Sequence, residues 1–203
     1  MLAIVAPGQG AQTPGFLAPW VEDSDFRSHL EELSTAAETD LLEHGTVSDA
    51  ETIRDTAVAQ PLLVASALAT YTKLMDGIAS GTVGVLAGHS VGEIAAAAAA
   101  GVLTQRSAMV LVRERGRGMA EAAAITPTSM TAVVGGDAAE VLAAIEAIGA
   151  TPANNNGSGQ IVAAGTVEQL AKLAENAPRR ARLIPLSVAG AFHTVHMAPA
   201  VKR

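Results

Sequence analysis

The sequence predicts an α/β protein, and three observations carry that reading. Short apolar runs that end in glycine or proline, such as "LAIVAPGQG" and "VGVLAGHS", alternate with longer stretches whose apolar residues recur at helical spacing. One serine, Ser90, stands inside G-x-S-x-G between such a run and an alanine-rich stretch. From Met130 onward the elements shorten and follow one another as strand and helix, which marks a second lobe.

Taken in order, the opening run ended by Pro7 and Gly8 has the continuous apolar character of a buried parallel strand entering a tight loop. Phe26 to Leu42 and Ala57 to Met75 carry apolar residues at helical spacing, so helices separate this strand from the next, Val83 to Ala87. Further helices are expected over Val91 to Ala100 and Gln105 to Ala122. Beyond them "MTAVVGG", "DAAEVLAAIEAIGA", "TPANNNGSG", "QIVAAG", "TVEQLAKLAEN" and "RARLIPLSV" read as strand, helix, loop, strand, helix and strand. That order is close to a βαββαβ unit of the ferredoxin-like kind. The expected organisation is therefore residues 1–127 as a first lobe, 128–187 as a small lobe and 188–203 as a return to the first.

Composition narrows the function. A chain of 203 residues that is 49% hydrophobic and 16% charged can bury a substantial core. Its longest apolar run, Ile94 to Leu103, is about half of the roughly 20 residues a membrane helix needs, so no membrane partner is expected. The N-terminus lacks the basic region of a signal peptide and the chain has no cysteine, which together suggest a cytoplasmic protein. A net charge of −7 with 2% aromatic residues disfavours a nucleic-acid surface.

Within Gly88-His89-Ser90-Val91-Gly92 the serine has two readings. It can cap the following helix, or it can be a nucleophile lifted clear of the strand by a strained turn, with the helix N-terminus favouring developing negative charge. Glu93 fits the helix dipole, and His89 reads as structural. A nucleophilic serine needs a base, and "AGAFHTVHM" offers His193 and His196. As a metal pair they would want further ligands that this cysteine-free chain does not suggest, so no metal is expected. The acid of a hydrolase triad is missing: the only aspartate between Ser90 and His193 is Asp137, placed as a helix N-cap.

Arg115 shares a helical stripe with Ala108, Leu111, Val112, Gly118, Met119 and Ala122, whereas Arg113 and Arg117 fall on the other side and are expected to be solvated. A guanidinium on a core-facing stripe demands an anionic partner, either a protein carboxylate or a carboxylate of the substrate gripped through two parallel hydrogen bonds. In "APGQGAQT" the third glycine of a dinucleotide fingerprint is replaced by Thr13; a Gly-Gln-Gly turn at a strand end instead offers backbone N–H groups to an oxyanion. Arg179, Arg180 and Arg182 form a basic cluster in an otherwise acidic chain.

Together and in this order, "PGQGAQ", "VAQPLL", "GHSVGE", "RGRGM" and "AGAFHT" resemble the malonyl-CoA:acyl-carrier-protein transacylase family, over the whole chain. The resemblance implies an α/β-hydrolase-like large lobe, here incomplete, with an inserted ferredoxin-like small lobe. It implies transfer of malonyl from malonyl-CoA to the phosphopantetheine thiol of acyl carrier protein, as in fatty-acid biosynthesis, through a seryl intermediate. By motif, Ser90 is the expected nucleophile and His193 its base. Gln9 and Val91 are the expected oxyanion-hole donors, Arg115 binds the malonyl carboxylate and Gln60 lines the pocket. No cofactor is implied beyond the coenzyme A thioester and the carrier's phosphopantetheine, and a monomer is expected. "GAFH" is similar to the form in malonyl-selective members. Relative to the family pattern the chain stops ten residues past His193, as a C-terminally truncated member would. The competing readings are a serine esterase or thioesterase, for which Arg115 has no evident use, and an inactive carrier-protein-binding fragment.

Overall fold

In a computed structural model that describes residues 1–79 and 81–202, the chain divides into two units, Met1–Arg117 and Gly118–Arg203. The first contains β1 (Leu2–Ala6), α1 (Ser24–Ala37), α2 (Leu41–Thr46), α3 (Thr56–Met75), β2 (Val83–Gly88), α4 (Gly92–Ala99) and the start of α5 (Gln105–Ala123). β1 and β2 pair in parallel, with Ala6 opposite Gly88. Parallel pairing sends both strands out at the same end, so the segments after Ala6 and after Gly88 emerge side by side.

α3 is the central helix of this unit. Its residues from Ala59 to Ala69 are buried on nearly every face, which explains why the stretch is apolar without a strong amphipathic pattern. Asp55 starts it, accepting a 2.7 Å hydrogen bond from the Ala57 N–H. Leu30, Leu41, Leu62, Leu68, Met109 and Val112 pack into the same core.

Two expectations fail here for identifiable reasons. The periodic stretch from Phe26 to Leu42 is two helices, because Glu38 takes a left-handed conformation with φ of 50° and Asp40 caps α2 through the Glu43 N–H. Leu41 is fully buried in the core that also holds Leu30, so hydrophobic spacing runs on through the turn. The strands, expected to be buried, are largely exposed. Val5 is 66% and Val85 44% accessible. Both lie on the face opposite Ile4, Ala6 and Leu86, whereas α4 packs against the sheet. Between the sheet, α3 and α4 lies an apolar cavity of about 240 Å³, lined by residues that include Tyr71 and Ala95.

The second unit contains β3 (Thr128–Gly135), α6 (Ala138–Ala147), β4 (Thr151–Asn155), β5 (Gln160–Thr166), α7 (Val167–Glu175), β6 (Ala181–Pro185) and a short α8 (Ala198–Val201). Its antiparallel sheet has the order β4-β5-β3-β6. Both faces of β3 are covered. Val133 packs with Val141, Ile145 and Leu173, whereas Met130 and Ala132 pack with Phe192 and Met197. Asp137 caps α6, and Thr166 with Gln169 forms a capping box on α7.

The segment "TPANNNGSG", expected as a loop, holds strand β4. Pro152 and the asparagines mask it, yet β4 is an edge strand whose pairing with β5 is irregular between Pro152 and Asn154, the setting in which proline is tolerated. The division between units falls within α5, and the residues after β6 up to position 202 group with the second unit. Arg203, the last residue of the expected third segment, lies outside the described residues.

The contrast between α3 and the outer sheet face is testable. Leu62→Ala, at a fully buried position, should destabilise the protein by about 2–5 kcal/mol. Val5→Thr, on the exposed face, should stay within about 0.5 kcal/mol of wild type. Denaturant unfolding of both variants checks this, and equal losses would contradict the assigned exposure.

Candidate functional site

At the paired strand ends the chain makes two close-packed turns. The His89 N–H donates to the Ala6 carbonyl at 3.0 Å, tying the second turn to the first. A Cβ on Gly8 would sit 2.5 Å from His89 Nδ1, and one on Gly92 would collide with the Ala6 carbonyl. A Cβ on Gly88 would strike the backbone of Gly92. Both glycines of G-x-S-x-G are therefore required by close backbone approach at the start of α4.

Ser90, between them, has φ of 53°. A left-handed conformation at a non-glycine residue costs roughly 1–3 kcal/mol and persists only where its surroundings enforce it. The enforcing contacts are the Gly92 N–H to His89 O and Glu93 N–H to Ser90 O hydrogen bonds, both 3.0 Å. Val91, not Ser90, occupies the N-cap position, and it makes no side-chain cap. The reading of Ser90 as the helix cap is thereby corrected. The half-buried serine stands at the amino end of α4, where the helix dipole favours negative charge.

Val91 is buried beside it. Gln9 is held from the other turn: its Nε2 donates to Arg54 O at 3.4 Å and to Thr56 Oγ1 at 3.5 Å. Gly10 N–H donates to Gln12 Oε1 at 2.9 Å, and Gln12 Nε2 donates to Ile53 O at 3.0 Å. Gln12 is thus an anchor of the first turn that sequence reasoning missed. Only its proximity to Gln9 in "GQGAQ" hinted at it.

Arg115 and Gln60 are brought together. Arg115 Nη1 donates to Gln60 Oε1 at 2.6 Å, and Gln60 is 2% exposed on α3. Gly116 allows this approach of α5 to α3, since a Cβ there would lie 3.0 Å from Thr56 O and 3.3 Å from Ala57 Cα. Burial pushes the Arg115 guanidinium below its ordinary pKa, and the negative charge of Glu93 opposes that shift. Among the described residues no carboxylate forms an ion pair with Arg115. Its neighbours differ. Arg113 pairs with Glu38 at 2.6 Å and Glu114 at 2.9 Å, and Arg117 reaches the same two carboxylates. The expectation of a solvated Arg113 is corrected, since its side chain is only 16% exposed. Leu111, expected on the core stripe, is exposed.

His193 belongs to the second unit and has φ of 58°. Gly190, Ala191 and Phe192 before it are buried, and His193 itself is exposed. Arg179 and Arg180 line an open cleft of about 740 Å³ together with Asp137 and Glu140, so the basic run is interleaved with acidic groups. Among the described residues no group of three or more His, Cys, Asp or Glu is arranged to hold a metal ion. No described helix is long and apolar enough to cross a membrane.

Comparison with known proteins covers nearly the whole chain. Residues 4–202 match the acyl transferase domain family. The malonyl CoA-acyl carrier protein transacylase of Mycobacterium tuberculosis is 50% identical over 202 residues, which are 99% of this chain and 67% of that protein. The crystal structure of MCAT from Mycobacterium tuberculosis superposes with a TM-score of 0.93 at 49% identity, covering 98% of this chain and 67% of that one. A malonyl-transacylase solved in complex with a type II PKS acyl-carrier protein gives a TM-score of 0.84 at 30% identity over 98% of this chain and 67% of that one. The chain spans about two thirds of the length of these relatives.

The contact between α3 and α5 can be probed without reference to any activity. Gly116→Ala should be destabilising overall, because the added methyl presses on the backbone at Thr56 and Ala57, which costs more than the roughly 1 kcal/mol that alanine gains over glycine in a helix. Chemical denaturation reads the balance, and a raised midpoint would show that the helices have room to spare.

Proposed function

Because this chain belongs to the acyl transferase domain family, we propose that it transfers a malonyl group from malonyl-CoA to the phosphopantetheine thiol of acyl carrier protein, the step that supplies fatty-acid biosynthesis. The observation that carries this reading is Ser90, held in a left-handed turn between β2 and the amino end of α4. Such a turn presents a serine hydroxyl clear of the strand, and a strained residue of this kind is kept where it has a task.

The proposed chemistry runs in two halves. Ser90 Oγ attacks the thioester carbonyl as His193 takes its proton, and the backbone N–H groups of Gln9 and Val91 hold the oxyanion. Collapse breaks the carbon–sulfur bond, and the departing coenzyme A thiolate takes the proton from His193. In the second half the carrier's thiol gives its proton to His193 and attacks the seryl ester. The carbon–oxygen bond then breaks and Ser90 recovers its proton. Each half closes without redox chemistry or a cofactor of the protein's own.

Arg115 gives the proposal its acyl selectivity. Its guanidinium donates one hydrogen bond to the neutral amide of Gln60, leaving a planar fork suited to the free carboxylate of malonyl. Gln60 lines the acyl pocket and orients the fork. A neutral-ester hydrolase has no use for a guanidinium so placed.

The finer architecture is part of the proposal. The β-α-β-β-α-β succession with its β4-β5-β3-β6 sheet supports a ferredoxin-like small lobe over residues 128–187. The first unit, Met1–Arg117, is read as part of an α/β-hydrolase-like large lobe, supported by the strand–serine–helix turn. We place the protein in the cytoplasm as a monomer that meets an acidic carrier through the basic patch of Arg179, Arg180 and Arg182.

Intact mass spectrometry after incubation with malonyl-CoA tests the mechanism. Wild-type protein should gain one malonyl group. Ser90→Ala should gain none while unfolding within about 1 kcal/mol of wild type, since Gly88 and Gly92, whose close packing shapes the turn, are unchanged. An adduct that persists on Ser90→Ala would move the nucleophile elsewhere.

A further inference from the structure

His193 is the second residue of the proposed chemistry to lie in left-handed backbone, an uncommon conformation for any residue with a side chain, although histidine enters it more often than most. Contacts of its segment within the second unit help to hold it there. The peptide of Ala191, two residues earlier, is fixed at both of its polar groups by threonine hydroxyls. Its N–H donates to Thr128 Oγ1 at 2.9 Å, and its carbonyl accepts from Thr194 Oγ1 at 2.7 Å. Thr128 is the first residue of β3, paired with Thr166 of β5, and is therefore part of the sheet framework. Thr194 also accepts from the His196 N–H at 3.2 Å, and its own carbonyl accepts from Met197 N–H at 3.0 Å.

Packing closes the remaining freedom. Gly190 sits so tightly that a Cβ would lie 2.9 Å from Ala123 Cβ and 3.5 Å from Thr128 Oγ1. Phe192 N–H donates to Gly190 O at 3.1 Å, tightening the chain into the histidine. Phe192 and Met197 are buried in one cluster with Met130 and Ala132, so the exposed histidine is bracketed by two core anchors.

We propose that Thr128 and Thr194 are positioning residues for His193, their hydroxyls clamping the Ala191 peptide so that the histidine is kept in its left-handed conformation. This rests on the reading of His193 as the base. Thr128 lies 65 positions before His193 in the chain and in no motif that pointed to the site. It acts through the backbone and touches neither substrate nor imidazole in this account. A buried peptide N–H that loses its acceptor must find another, and the segment is then free to relax toward ordinary backbone angles.

The test compares Thr128→Val, which keeps the shape and removes the hydroxyl, with Thr128→Ser, which keeps the hydroxyl. Thr128→Val should lower kcat about ten-fold or more with KM for malonyl-CoA within about two-fold of wild type, and Thr128→Ser should restore most of the rate. In a His193→Ala background, Thr128→Val should have no further effect, because both changes act through one group. Wild-type kcat in Thr128→Val, a serine variant as slow as the valine one, or an undiminished effect without His193 would each overturn the clamp. Should Thr128→Val fail to fold, Thr194→Val and Thr194→Ser carry the same comparison with the same outcomes. If His193→Ala alone keeps the wild-type acylation rate, the base assignment is what fails. The clamp is then judged by hydrogen exchange at the Ala191 amide, which Thr128→Val should quicken about ten-fold if the clamp is real and leave unchanged if it is not.

Discussion

The site depends on a guanidinium held in a half-buried place by a neutral partner. Taking a charged group out of water is costly, and proteins ordinarily offset that cost with a carboxylate, as Arg113 does with Glu38 and Glu114 on the same helix. Arg115, two residues on, has the amide oxygen of Gln60 in that place. Burial lowers its pKa and Glu93 only opposes the shift from a distance. An amide fixes the direction of the fork without neutralising it. Under the proposed function, the cost left standing is recovered when the malonyl carboxylate enters, which is the basis of the selectivity proposed for Arg115.

Much of the first unit serves that geometry. α3 is buried on nearly all sides, so Gln60 has a fixed place, and Gly116 lets α5 come close enough for a 2.6 Å hydrogen bond. The same unit builds the turn at Ser90 by equally close approach. Gly88, Gly92 and Gly8 are glycines because neighbouring backbone or the His89 ring occupies the space a side chain would need. Ser90 stands between these glycines in a left-handed conformation that its neighbours enforce. Rigid packing and local strain are two descriptions of one design.

How legible this was in the sequence varies with the physics. Strand runs, helical spacing and caps act locally, so β1, β2, α3, α5, α6 and the Asp137 cap could be read from short windows. Periodicity does not register a turn when buried residues lie on both sides of it, and this hid the break at Glu38 between Leu30 and Leu41. Composition hid β4, whose Pro152 is acceptable only because the strand is at an edge. A continuous apolar strand signals two covered faces, yet Val5 and Val85 are exposed. At the site, the core-facing stripe singled out Arg115 before any partner was known. Gln12 and Thr128 escaped notice because each works through a hydrogen bond to a backbone group far away in sequence. Side chains that support a site in this way carry no motif of their own.

Competition between malonyl-CoA and acetyl-CoA for the protein, with and without the guanidinium, tests the central claim most directly. If Arg115 binds the malonyl carboxylate, Arg115→Ala should lower malonyl transfer by about 100-fold or more, the equivalent of losing a charge-assisted hydrogen-bonded pair. Acetyl transfer should hold or rise, because acetyl leaves the wild-type guanidinium buried without an anion. Arg115→Lys should recover only part of the malonyl rate, since a point charge cannot reproduce the fork. A fall of both activities in the same proportion would contradict the account and make Arg115 a member of the structural framework alone.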